Sequence, residues 1–339
     1  MDSTERVTRR LAGEAVDRPP NFAIFMQRAA HHAGIVLSRY YLDHRALVEA
    51  NLSVLEAFDL DIVQAISDPY REAVDLGLAV EFPEDGLPIR RAPLLAEPSD
   101  LARVRPIEPA SGRRMNDRLE AIRLLREKVG GSVPVMGWVE GAFAEAADLR
   151  GDSALMLDVV DRPEWVAELL AVLTEQAILF ARAQVDAGAD IIGLGDAIAS
   201  LVSPPMYRRF ALPCEQRIFA AVREAGAIPR LHICGNTSRL VPDMLASGAR
   251  IVDLDWMVDL GGAASAASAP DAPALCGNFD PVRVLLNGTP DGVRAAVRAC
   301  AGSGGARWFC MAGCEVPDGT PDANLRAIAE ALRALDAPA

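Results

Sequence analysis

The amino-acid sequence predicts an α/β fold, a (β/α)₈ barrel carrying a small N-terminal extension and an inserted β-hairpin. Three observations predict it. Eight short apolar runs rich in Val, Ile and Leu punctuate the chain. Amphipathic helical stretches separate those runs from about residue 130 onward, and polar, chemistry-bearing residues stand where the runs end. With 339 residues, 51% of them apolar, the chain is long enough to fill one such barrel. It is read as a single domain over residues 1–339, because neither an internal repeat nor a low-complexity linker interrupts it.

The first two strands are expected at 22–26 and 61–66. Between 74 and 94 the pattern suits an extra hairpin turning at Glu84-Asp85-Gly86. A third strand at 133–139 is followed by helices near 154–159 and over 163–185. The fourth strand, 189–194, leads into a helix over 205–225. The fifth, 228–234, precedes a helix capped by Thr237 or Ser238 and running to about 246. A sixth strand at 250–255 gives way to an Ala, Ser and Gly-rich loop or short helix at 261–273. Strands at 274–279 and 307–311 flank a helix over 290–301. The last helix, 321–335, follows Thr320 and starts on proline, which fits a first helical position.

Bulk properties exclude several classes of function. A formal charge of −13 argues against nucleic acid or an anionic membrane as the main partner. Of the 34 basic residues all but Lys128 are Arg, without the clustering that recognition needs. The apolar runs are too short to span a bilayer, and the first residues lack a basic start with an apolar stretch. A cytoplasmic location is the expectation. The six cysteines are then reduced thiols rather than a disulfide framework.

The chemistry concentrates in three residues. His232 and Cys234 stand two apart in Leu231-His232-Ile233-Cys234-Gly235-Asn236, and Cys314 answers them in Gly313-Cys314-Glu315-Val316-Pro317. On a strand, i and i+2 side chains share a face. One imidazole nitrogen and two sulfurs suit a borderline-soft ion such as Zn²⁺, and three protein ligands with an open position mark a catalytic zinc. The plainer reading is a core histidine beside buried cysteines. Cys310, four residues before Cys314, is expected to pack rather than to ligate.

In such barrels the active site lies at the carboxyl ends of the strands. Glu140, Asp196, Asp255 and Asp280 fall there beside His232, Cys234 and Cys314. Asp255 is either a fourth, hard ligand, or a helix N-cap or a partner in a loop ion pair. Asp280, before Pro281, reads foremost as a turn cap. Glu140 and Asp196 are candidate catalytic groups on the substrate side or partners of barrel backbone.

Those motifs, with Gly277-Asn278-Phe279-Asp280-Pro281 and Leu285-Leu286-Asn287-Gly288-Thr289-Pro290, resemble the uroporphyrinogen decarboxylase superfamily over nearly the whole chain. More narrowly they resemble its zinc-dependent branch, the methylcobamide:thiol methyltransferases of the coenzyme M type. The resemblance implies a zinc held by His232, Cys234 and Cys314, with Asp255 near an acidic fourth ligand of some members. It also makes Asn236, Asn278 and Asp280 candidate contacts to the corrinoid co-substrate. The implied reaction passes a methyl group between a methylcobamide and a small thiol through a zinc-bound thiolate. No cobalamin-binding Asp-x-His-x-x-Gly sequence occurs, so the corrinoid is expected on a separate protein. The decarboxylase branch holds its tetrapyrrole's carboxylates with an Arg-Gln-Ala-Gly-Arg segment, and the equivalent stretch here is Gln27-Arg28-Ala29-Ala30-His31. A metal-free decarboxylase or lyase is therefore the alternative reading, and a non-catalytic corrinoid- or metal-binding protein a third.

Overall fold

A curled parallel sheet of seven strands forms the centre of the protein, seen in a computed structural model that describes residues 1–335; positions 336–339 lie outside the described residues. In chain order the elements are β1 (Val63–Gln64), an antiparallel pair β2 (Val80–Glu81) and β3 (Ile89–Arg90), then β4 (Val135–Glu140), β5 (Ile191–Gly195), β6 (Ile228–His232), β7 (Ile251–Asp253), β8 (Ala274–Cys276) and β9 (Trp308–Phe309). The sheet runs β1-β4-β5-β6-β7-β8-β9, each strand parallel to the next, with β2 and β3 paired outside it. Helices cross between consecutive strands, which is the barrel the sequence predicts.

The eighth stave closes the ring without becoming a regular strand. The 22–26 run was expected as one, yet its ladder is reduced to a single parallel bridge between Asn21 and Cys310. Phe22 N donates to Cys310 O at 2.8 Å, Asp61 N donates to Asn21 O at 3.0 Å, and Val316 N donates to Ile24 O at 2.9 Å. Pro19 and Pro20 just upstream have no N–H to give, which shortens any ladder there.

Strand alternation sorts the core into two layers. Phe22, Ile24, Met136, Ile191, Ile251 and Met311 point into the barrel, while a larger set between sheet and helices includes Val135, Ile192, Leu231 and Val252. Each fully buried aliphatic contributes on the order of 1.5–3 kcal/mol, so the outer layer supplies most of the driving force.

Several boundaries differ from expectation. The strand predicted over 228–234 ends at His232, so Cys234 lies beyond it, just before the bend at Gly235. The stretch after Thr237 is a turn, and the helix begins only at Val241 with Leu240 as its cap. Pro242 falls in the first turn of that helix, where its missing N–H costs no intrahelical hydrogen bond. Helices Ala142–Arg150 and Asp152–Asp161 replace the single one expected near 154–159. The 261–273 segment contains a helix, Leu260–Ala266, capped by Asp259.

Candidate functional site

β6 carries Arg230 and His232 into the barrel interior, both buried. His232 pairs in register with Gly195 of β5 and Asp253 of β7. Its Nδ1 lies 2.8 Å from Asp253 Oδ2, which leaves Nε2 turned to the cysteines. That nitrogen is 3.0 Å from Cys234 Sγ and 3.7 Å from Cys314 Sγ, and the two sulfurs are 3.4 Å apart. The three donor atoms all lie within 4.8 Å of one another, and neither sulfur is in a disulfide.

Two glycines allow this convergence. Gly235 turns the chain straight after Cys234 at φ +96°, a conformation side chains with a Cβ rarely adopt. Gly313 sets Cys314 against the loop after β7, since a Cβ there would come within 2.4 Å of Trp256 N and 2.6 Å of Asp255 Oδ1.

Charge within the triad is divided unequally. Hydrogen bonding to Cys234, and then to His232, pulls the Cys314 thiol down to about 4. The same bond to Cys314, together with burial, pushes Cys234 up. Burial opposes a charge on His232, but the Cys234 charge and the Asp253 hydrogen bond outweigh it and raise the imidazole well above its ordinary value. Asp253 is held ionised despite burial by Arg230, whose Nε donates to Oδ1 at 2.9 Å. Carboxylate, imidazole and two thiols in that order are an oriented donor set of the kind that binds zinc. The residues present therefore fit such an ion.

The triad forms one wall of a cavity of about 290 Å³. Trp138, Ile66 and Met26 give it apolar sides, and Arg71, Glu140 and Glu315 are among its charged ones. Arg71 Nη2 donates to Glu140 Oε1 at 2.6 Å. Burial drives the Glu140 carboxyl up to about 7 against the opposing pull of Arg71. Burial likewise pushes Glu315 up to about 8.

The remaining candidates from the sequence fall in different places. Asp255 is outside the three-donor cluster among the described residues. Both of its oxygens accept backbone N–H groups, from Gly235 at 2.5 Å and from Trp256 at 2.6 Å, so it ties the Cys234 turn to the loop after β7. Asp196 is fully buried behind the cavity wall, where Oδ1 accepts from Ala144 N at 2.9 Å. Burial and the nearby charge of Glu215 raise it well above an ordinary aspartate. Asn236 accepts from Ser238 N and Oγ on the surface. Asn278 Nδ2 donates to the carbonyls of Asp255 and Val258, holding two mouth loops together. Asp280 caps the turn after Phe279, accepting from Val282 N and Arg283 N at 2.9 Å each. None of these five lines the cavity, whereas Glu140 does.

Sequence reasoning passed over Asp253 and Arg230. The signal was present: each is a charged residue two positions from a named candidate, inside an apolar run, where alternation puts it on the same inward face.

Comparison with known proteins adds the lineage. Residues 2–335 match the profile described as Uroporphyrinogen decarboxylase (URO-D). The methylcobamide:CoM methyltransferase MtbA of Methanosarcina acetivorans is 30% identical, over 97% of this chain and 97% of its own. A uroporphyrinogen decarboxylase of Nocardia farcinica is 32% identical, over 79% of this chain and 75% of its own. Among solved structures, a methyltransferase from Methanosarcina mazei superposes with a TM-score of 0.90 at 24% identity, covering 99% of this chain and all of that one, which shows the same fold.

Proposed function

The chain belongs to the uroporphyrinogen decarboxylase (URO-D) family, and from that premise we propose that it is a zinc-dependent, corrinoid-linked methyltransferase whose methyl acceptor is a small thiol. The observation that carries this reading is the convergence of His232 Nε2, Cys234 Sγ and Cys314 Sγ within 4.8 Å. A decarboxylase that uses no metal has no need of such a set. Relatives of both kinds are similar to this chain, and the donor set supports the methyltransferase reading.

His232, Cys234 and Cys314 would hold the ion, leaving a position open toward the cavity. Zinc bound there supplies deprotonation of the acceptor thiol while keeping its sulfur polarizable. The protein's own groups do the rest. Asp253 fixes the imidazole with Nε2 toward the sulfurs, and Arg230 fixes Asp253. Trp138, Ile66 and Met26 exclude water from the acceptor sulfur. A cavity of about 290 Å³ admits a small thiol but is far too small for a corrinoid ring. The macrocycle is therefore met at the barrel mouth, which suits delivery by a separate corrinoid protein. The overall change is thiol plus methyl-Co(III) corrinoid to thioether, Co(I) corrinoid and a proton.

Segment 27–31, where the decarboxylase branch carries its carboxylate-binding arginines, supports the same choice. Arg28 is engaged by Asp322, and His31 lies 2.9 Å from both Asp85 and Asp318. The test is anaerobic spectroscopy of methylcobalamin with zinc-loaded protein and a thiol panel that includes coenzyme M and homocysteine. Loss of the methyl-Co(III) absorption with growth of Co(I), absent in His232→Ala, is expected. No rate above that variant with any thiol contradicts methyl transfer, and release of CO₂ from a porphyrinogen promotes the decarboxylase reading.

A further inference from the structure

We propose that Glu140 takes the proton from the acceptor thiol, receiving it on Oε2 as the sulfur becomes a nucleophile. This rests on the methyl-transfer reading and adds a catalytic residue to the same site. In this step the S–H bond breaks, an O–H bond forms on Glu140, and the electron pair stays on sulfur.

The sheet sets the position of this carboxyl. Glu140 ends β4, and its register partner is Gly195 of β5, which pairs in turn with His232 of β6. Side chains at 138 and 140 share one face, and both fold over the bare Gly195 backbone. A Cβ at Gly195 would come within 3.1 Å of the Trp138 ring and 3.3 Å of Glu140 Oε2. The missing side chain leaves the Glu140 carboxyl in front of β5, between its own strand and the one that carries His232. Glu140, His232, Cys234 and Cys314 line the same cavity. Arg71 engages Oε1 at 2.6 Å, and among the described residues Oε2 accepts no hydrogen bond. The hydrogen bonds of the three donors run to one another and to Asp253, not to Glu140.

A thiol entering here brings a proton that Ile66, Met26 and Trp138 separate from bulk water, so a fixed group has to accept it. Asp68 is poorly suited, being paired with Arg114 and with Ser67 Oγ at 2.7 Å. Against burial, the charges of Arg114 and Arg71 hold its carboxyl below the ordinary value. Burial instead raises Glu140 to about 7, with Arg71 opposing and Glu72 and Asp68 adding to the rise. A base works best when its pKa lies near the working pH. Behind Glu140 stand Glu145 and Asp148 on the helix Ala142–Arg150 and Asp196 after β5. His232 and Glu315 face it across the cavity. Arg71 is shared with Glu72, whose Oε2 lies 3.6 Å from Arg71 Nε, so a proton on Glu140 relieves repulsion between acids.

The experiment uses the full chain loaded with cobalt(II), in which a thiolate-to-cobalt band reports sulfur binding without any methyl donor. 2-Mercaptoethanol is mixed with wild type, Glu140→Gln, Glu140→Asp and Glu315→Gln, and growth of the band is followed by stopped flow against pH. The zinc-loaded chain is assayed with methylcobalamin in parallel. The wild-type rate should rise with pH through an inflection near 7, where the Glu140 carboxylate forms. Glu140→Gln should slow the band by roughly a hundredfold at neutral pH. Its rate should keep rising past about pH 8, following ionisation of the free thiol, and Glu140→Asp should recover part of the loss. With 2,2,2-trifluoroethanethiol, which ionises more readily, the Glu140→Gln deficit should shrink to under about tenfold. A merely structural role would slow both thiols alike. A Glu140→Gln rate equal to wild type, a deficit equal for both thiols, or a loss confined to Glu315→Gln overturns the inference. If wild type forms the band yet turns over no methylcobalamin, methyl transfer is the reading that fails and the band still decides the inference. No band with any thiol overturns both.

Discussion

Asp61, fully buried, and Glu315, half-buried, are carboxylates at opposite ends of one barrel, and their surroundings differ sharply. Asp61 sits where the strands begin. Arg6 Nη1 reaches it at 2.6 Å and Arg18 Nη1 at 2.5 Å, while Asn21 N and Ser3 Oγ each donate at 2.7 Å. These contacts tie the N-terminal helix and the eighth stave to the start of β1. Glu315 sits where the strands end, with one backbone donor and no paired cation among the described residues. The same contrast separates Asp253, neutralised by Arg230, from Asp196 one layer away, whose Oδ2 has no hydrogen-bond partner. Compensated charge at one end fixes the fold, and at the other burial raises carboxyls that have no cation beside them.

The comparison can be broken first at the uncompensated end. Cys234→Ala and Cys314→Ala should each weaken zinc binding by roughly a hundredfold or more, since a three-donor set loses a ligand. Cys310→Ser serves as the control: Cys310 is packed into the barrel wall against Asn21, outside the donor cluster, and its variant should keep the metal. Elemental analysis after dialysis against a chelator reads this. Full zinc in both alanine variants would remove the ligand assignment.

At the compensated end, Asp61→Asn removes the buried carboxylate shared by Arg6 and Arg18, which keep only the more exposed Asp17 and Asp59 as partners. A loss of about 3–5 kcal/mol of unfolding free energy is expected, with zinc stoichiometry unchanged. Urea denaturation measures it, and a loss under about 1 kcal/mol, the exposed-pair range, would show that the contacts do not act as a buried network.

A smaller effect sharpens the comparison in the wall behind the cavity. Glu215 is buried with Tyr207 Oη donating to its Oε2 at 2.5 Å, and burial pushes its carboxyl up to about 8. Its folded value lies above the unfolded one of about 4.3. The stabilisation it contributes is therefore complete below about pH 4 and is lost as pH rises through about 8. Between pH 6 and 9 the Glu215→Gln variant should lose about 2–3 kcal/mol less than the parent. Parallel stability curves for the two would contradict the buried, uncompensated state of this carboxyl.

Much of this was legible in the sequence, and unevenly so. The alternation of apolar runs and helical stretches marked the barrel, because interior and exterior layers both need β-branched strands. His232, Cys234 and Cys314 stood out because sulfur and imidazole at those spacings are unusual. Asp255 was harder to place, because sequence shows that a carboxylate follows a strand but not that two backbone N–H groups already occupy its oxygens. Asn236, Asn278 and Asp280 were named as corrinoid contacts, yet the side-chain hydrogen bonds described for them stay within the mouth loops. Asp253 was overlooked in favour of Asp255, two residues on. Only the register of β6 against β7 shows which of the two faces the imidazole.

The claim at the centre of the account is that His232, Cys234 and Cys314 hold a zinc with room for a substrate sulfur. X-ray absorption at the zinc edge, on protein with and without an added thiol, tests it most directly. The expected spectrum without thiol shows two sulfurs and one imidazole nitrogen with a lighter fourth neighbour, and addition of thiol raises the sulfur count to three. A sulfur count unchanged by thiol, or one already saturated by protein ligands alone, would contradict it.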